Sequence, residues 1–239
     1  MLISSPRYSP EDTCRWRELE RADAVYSMTK RFSAKVTRAE AALLAFAPSG
    51  GCYVGTSWGK DSVVVAEMAY RLRPELPLVW ISLGEYDNPD CRLVRDAFLA
   101  ERSSARYDEI VIAFPRSEDG ARAGTGVLEG GFAEAARRHG DRYVSGVRGA
   151  ESGARKLRMM IHGESSARTC APIGWWQAAD VWAYLYSRGL PVHPAYACMG
   201  GVWERDRIRV ASIGGQRGQG HGRAEWESRY YPVGSALAR

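Results

Sequence analysis

Long apolar runs are absent from this chain of 239 residues. No stretch approaches the ~18 uninterrupted apolar residues of a membrane-spanning helix, which excludes that class. The first 31 residues are crowded with charge and hold no apolar segment followed by a small-residue cleavage site, so a secretory signal is not expected. Cysteine is sparse and unpaired. Cys14, Cys52, Cys91, Cys170 and Cys198 are odd in number and widely spread, with no two-residue spacing of a zinc site or redox pair. That pattern suits incidental or buried thiols in a reducing cytoplasm, not a disulfide scaffold. Lysine is scarce as well: of 33 basic side chains only Lys30, Lys35, Lys60 and Lys156 are lysine. A lysine in a glycine-containing loop therefore stands out.

What is present is ordinary for a globular protein, with 45% hydrophobic and 26% charged residues. The length suits one large domain with an elaborated end. A formal charge of +5 and a pI near 9.0 suit an anionic partner, either a nucleotide or a nucleic acid.

Residues 1–36 are polar and helix-like, and Ser9-Pro10-Glu11-Asp12 reads as a helix start. Thr37 and Glu40 have capping-box spacing, which predicts a second helix from Thr37 that stops at Pro48-Ser49-Gly50-Gly51. Short apolar runs then alternate with longer amphipathic segments. Strands are predicted at 52–55, 77–83, 109–114 and 142–147, with helices at 61–73, 89–102, 131–139 and 176–188. This alternation predicts an α/β fold with a mainly parallel sheet and helices on both faces. The remainder is rich in arginine, glycine and aromatics and predicts an irregular lobe. Three segments follow: a helical extension (1–48), a nucleotide-binding domain (49–200) and a C-terminal lobe (201–239).

The most informative stretch is Thr56-Ser57-Trp58-Gly59-Lys60-Asp61-Ser62, between a predicted strand and a predicted helix. Open α/β sheets bind ligands there, because a helix N-terminus presents free amides and a positive dipole end to an anion. Gly59 permits close approach, Ser57 and Ser62 offer hydroxyls, and Lys60 offers a point charge. Asp61 suits either a metal ligand or a helix cap. A Walker A loop is excluded, since Asp61 stands where that loop needs a hydroxyl residue. The plain alternative is a helix start and nothing more. A second stretch, Gly146-Val147-Arg148-Gly149-Ala150-Glu151-Ser152-Gly153-Ala154-Arg155, follows another predicted strand. Arg148 and Arg155 around Glu151 make either an anion clamp oriented by the acid or a surface ion-pair cluster.

In this order the two stretches resemble the PP-loop ATP pyrophosphatase superfamily. The closer likeness is to its branch of phosphoadenosine phosphosulfate (PAPS) reductases, the small subunit of bacterial ATP sulfurylase and related FAD synthetases. Ser-x-Gly-Lys-Asp-Ser is similar to the PP-loop, and Gly-x-Arg-x-x-Glu-Ser-x-x-Arg to the branch's second motif. The Pro172-Ile173 segment leading to Asp180-Val181-Trp182, and the run from Gly189 through Pro191 and Pro194 to Tyr196, resemble later family segments. The likeness covers roughly residues 50–200.

The resemblance implies an adenine nucleotide hydrolase-like fold binding ATP, or a PAPS-like sulfonucleotide, with its terminal phosphates or sulfate on residues 56–62. It implies Mg²⁺ near Asp61 and charge stabilisation by Lys60, Asp61, Arg148, Glu151 and Arg155. The expected chemistry is AMP-forming, with pyrophosphate released and an unknown acceptor activated. A homo-oligomer, a nucleic-acid ligand and a partner enzyme are all compatible with the family; a membrane is not expected. The reductases of this branch carry a nucleophilic cysteine in a Glu-Cys-Gly-x-His context near the C-terminus. Here the last cysteine, Cys198, has neither that context nor that place. A reductase with an atypical cysteine therefore stands behind the ATP reading. So does a nucleic-acid-modifying component, suggested by Arg205, Arg207, Arg209, Arg217, Arg223 and Arg229 interleaved with Trp226, Tyr230 and Tyr231. A nucleotide sensor without turnover is a further alternative.

Overall fold

The structure is a computed structural model. It describes residues 1–47, 51–112, 124–198, 204–206, 208–210, 227 and 229–231, with backbone alone at 124–127. The expected helix stop at 48–50, the end of the strand expected at 109–114, and most of the C-terminal lobe, with Arg207, Arg217, Arg223 and Trp226, lie outside the described residues.

Five strands form one parallel sheet: β1 (Cys52–Thr56), β2 (Leu78–Ser82), β3 (Tyr107–Val111), β4 (Arg142–Val144) and β5 (Thr169–Cys170), in the order β3-β2-β1-β4-β5. β1 and β2 are near-continuous apolar runs, as strands covered on both faces must be. The helices are α1 (Pro10–Ser27), α2 (Lys30–Phe46), α3 (Lys60–Leu72), α4 (Asp90–Ala100), α5 (Gly124–His139), α6 (Gly153–His162) and α7 (Ala178–Ser187). The order reverses at β1. The chain runs outward through β2 and β3, then crosses back to add β4 and β5 on the other side. In such sheets the crevice at the carboxyl ends of the two central strands is the ligand site.

α3 starts from the loop that follows β1 and is buried along most of its length, Val63, Val64 and Val65 included. Three consecutive β-branched residues disfavour an isolated helix; here burial overrides propensity. α1 begins as its sequence predicts. Ser9 accepts from the Asp12 amide at 3.1 Å, while Asp12 accepts in turn from the Ser9 amide at 2.9 Å. α2 begins earlier than predicted. Its cap is Thr29, not Thr37, because Phe32, Val36, Ala39, Leu43 and Phe46 form one continuous core-facing stripe that carries the helix through Thr37. The N-terminal helices share one apolar core with the sheet. Trp16 packs edge-on against Trp182 of α7 at 5.7 Å, and the buried Asp180 accepts from Tyr26 Oη at 2.6 Å and from Lys35. No helix among the described residues is long and apolar enough to cross a membrane.

Candidate nucleotide site

β1 ends at Thr56, and four residues later α3 begins with Gly59 as its cap. The turn is closed around a serine. Ser57 donates its amide to Ser62 Oγ at 3.2 Å, and Ser62 Oγ donates to the Gly59 carbonyl at 3.0 Å. On the other side of the reversal, β4 ends at Val144, and the chain runs through Gly146 into the short turn Gly149–Glu151. Gly146 lies so close to the start of α3 that a Cβ there would stand 2.7 Å from the Asp61 carbonyl carbon. Only glycine lets the two loops touch.

Between the loops lies a cleft of about 420 Å³, a size usual for small-molecule sites. Its polar side is Thr56, Ser57, Lys60, Asp61, Ser62, Glu151 and Arg155; its apolar side includes Trp80, Ile81, Phe132 and Tyr143. Thr56 Oγ1 is buried and has no hydrogen-bond partner among the described residues.

Asp61 is the hub of the charges. Its Oδ1 accepts from Arg148 Nε at 2.6 Å and its Oδ2 from Lys60 Nζ at 3.1 Å. Burial pushes the Asp61 carboxyl up, but Lys60 and Arg148 together outweigh it and hold the group below the usual carboxylate range. Glu151 works likewise one step out: it accepts from the Arg148 amide at 3.0 Å and pairs with Arg155. The structure thus joins Lys60, Asp61, Arg148, Glu151 and Arg155 in one connected network. Arg148 reaches Asp61 from beneath the loop and is itself buried, while Arg155 and Glu151 face the cleft.

One sequence expectation needs correction. Trp58 is a loop residue, but its indole leaves the cleft and is wholly buried between Phe98 and Tyr107. Each Asp61 oxygen faces a cation, so a magnesium ion at this carboxylate, as the resemblance implies, would share it with Lys60 and Arg148. Among the described residues no group of three His, Cys, Asp or Glu side chains is disposed to hold a metal.

Several lining residues were not placed at the cleft by the sequence. Asp87 closes the turn after β2, accepting from Ser82 Oγ at 2.6 Å and the Leu83 amide at 2.9 Å. Arg209 reaches the Glu151 carbonyl at 3.2 Å and meets no carboxylate among the described residues. Tyr196, the end of the family-like run from Gly189, accepts the Lys60 amide at 3.2 Å, and its ring lies 5.4 Å from Lys60 Nζ. Of the cysteines, Cys91 lines the cleft and Cys198 is buried against the Pro194 carbonyl. Burial pushes both thiols up, Cys198 to about 12.

No protein-family profile matches the chain. The chain is 26% identical over 194 residues to the phosphoadenosine 5'-phosphosulfate reductase of Xanthomonas campestris pv. campestris (strain B100), covering 74% of this chain and 76% of that protein. It is 24% identical over 160 residues to the enzyme of the same name from a Synechococcus species, covering 61% of this chain and 69% of that one. Among solved structures, the U34-tRNA thiolase NcsA from Methanococcus maripaludis shares the fold, with a TM-score of 0.50 at 12% identity over 87% of this chain and 77% of that one. With a Ser-x-Gly-Lys-Asp-Ser loop after β1, its partner motif after β4 and this sequence kinship, the chain is similar to PAPS reductases.

Proposed function

We propose that the chain binds ATP in the cleft and splits it between the α- and β-phosphates, passing AMP to an acceptor. The observation that carries this reading is the meeting of two motif loops at the sheet's reversal point, where the N-terminus of α3 opens into a cleft with cations on one side and aromatic surface on the other. The flat apolar wall of Trp80, Phe132 and Tyr143 suits a base, and the positive N-terminal end of α3 with Lys60 suits the phosphates. In the proposed step an acceptor oxygen bonds to the α-phosphorus, the bond from that phosphorus to the bridging oxygen breaks, and pyrophosphate leaves. The acceptor's proton goes to solvent. Such a reaction needs charge stabilisation and no protein nucleophile. Lys60, Arg155 and Arg209 are the cations at the cleft; Asp61 and Glu151 hold the first two in place. In this reading residues 49–200 form the nucleotide-binding domain.

The names of the curated relatives favour a second reading, sulfonucleotide reduction. It needs an accessible thiolate. Cys91, which lines the cleft, and Cys198 are both buried with raised pKa values, and the exposed Cys14 of α1 is not among the residues that line the cleft. The ATP reading therefore comes first.

Calorimetric titration with ATP as its magnesium salt tests the loop. Lys60→Ala is expected to weaken binding by about 1.5–3 kcal/mol, the range for a hydrogen bond to a charged group. Wild-type affinity in that variant would reject the loop as the phosphate site.

A further inference from the structure

Trp58 is the sole non-glycine residue with positive φ among the described residues, at 58°. A bulky side chain disfavours that left-handed conformation, which glycine adopts freely. The side chain is 0% exposed, with its ring 5.5 Å from Phe98 of α4 and 5.8 Å from Tyr107 of β3. Its indole N–H is buried without a hydrogen-bond partner among the described residues. A strained backbone and an unsatisfied donor both act against this placement. They persist because the surrounding core holds the ring: a large aromatic side chain gains more from full burial than either term removes.

We propose that Trp58 is a positioning residue that holds the 57–62 loop in its anion-ready shape before any ligand arrives. Next to the anchored residue, the Ser57 amide is fixed on Ser62 and the Lys60 amide on Tyr196. With a small residue in the same place, nothing would tie the turn to α4 and β3, and its amides would be ordered only on binding. With Trp58 the conformational entropy is lost on folding, so the bound ligand keeps more of its contact energy. The inference rests on the loop being the phosphate site, but the shape of the loop is measurable without a nucleotide.

The test uses Trp58→Gly, which relieves the φ strain and removes the anchor, beside Trp58→Phe, which keeps an aromatic plug. In the ligand-free chain, Trp58→Gly is expected to speed amide hydrogen exchange at Ser57, Gly59 and Lys60 by about tenfold or more, as local opening requires. Trp58→Phe is expected to stay near wild type. ATP affinity in Trp58→Gly should fall about tenfold or more while adenosine affinity stays within about threefold, and Trp58→Phe should restore the ratio. If Trp58→Gly does not fold, Phe98→Leu loosens the anchor's seat without touching the loop and should show the same exchange change. Unchanged exchange at the loop would overturn the inference, and so would equal losses for ATP and adenosine. A wild-type chain with no preference for ATP over adenosine would overturn the phosphate assignment instead, while the exchange result would still decide the role of Trp58.

Discussion

Asp61 is held by two cations, and that decides what the residues around it are able to do. Lys60 and Arg148 are both buried, so removing the carboxylate would leave two charges without a partner in a poorly hydrated place. The residue spacing in the sequence pointed to these side chains. It did not say that Asp61 would meet a cation on each oxygen, nor that Arg148 would be buried, because both depend on how β4 sits beside α3. The indole of Trp58 was equally hidden, since its direction follows from a positive φ that no local pattern announces. His193 gives a residue-scale prediction. It is buried, accepts the Ala195 amide at Nδ1 and meets Asn88 Oδ1 through Nε2. Burial first, then Arg7, pushes its pKa down to about 3. Above pH ~6.5 the ring is neutral in the folded and the unfolded chain. As pH falls below that value the unfolded chain takes up a proton that the folded one refuses, so stability drops by about 1.4 kcal/mol per pH unit until the folded value is reached. Urea unfolding at pH 6.5 and 4.5 should show a loss of about 2 kcal/mol from this group, and His193→Asn should remove most of that slope. An unaltered slope in the variant would mean that the ring is charged in the fold.

Among the elements, those with strong periodicity were legible and the short ones were not. α3, α4 and α7 lie within a residue or two of the spans their patterns predict. β5 has two residues and escaped notice; its pairing to β4 is a tertiary matter. β3 starts earlier than expected, because its register against β2 begins at Tyr107 opposite Leu78, with polar Asp108 taken into the strand. The contact between the β4 loop and α3 carries the element-scale prediction. Gly146→Ala would set a methyl group 2.7 Å from the Asp61 carbonyl carbon, against backbone that cannot rotate away. A loss of about 1–3 kcal/mol in denaturant unfolding is expected, as for overpacking elsewhere. Unchanged stability in that variant would show that the two loops do not touch.

At the scale of the molecule, parallel α/β architecture was readable from the strand–helix alternation, and its strand order was not, because crossover direction leaves no mark on local composition. That order matters most for function. It brings a loop at residue 57 and a motif at residue 148 to the two sides of one crevice, and it leaves Cys198 behind the wall of that crevice, under the Pro194 carbonyl. Parts outside the sheet join the same core. Arg205 makes a two-pronged ion pair with Asp23 of α1, both contacts at 2.7 Å, and Tyr231 donates to Asp90 of α4 at 2.8 Å. The central claim is that this cleft performs nucleotide chemistry without a protein thiol. The most direct measurement is product release by wild type and a folded Cys198→Ser variant, assayed side by side for pyrophosphate from ATP with candidate acceptors and for sulfite from PAPS with thioredoxin. The account predicts pyrophosphate release at the wild-type rate in Cys198→Ser and no sulfite from either protein; sulfite release by wild type that vanishes in Cys198→Ser would contradict it.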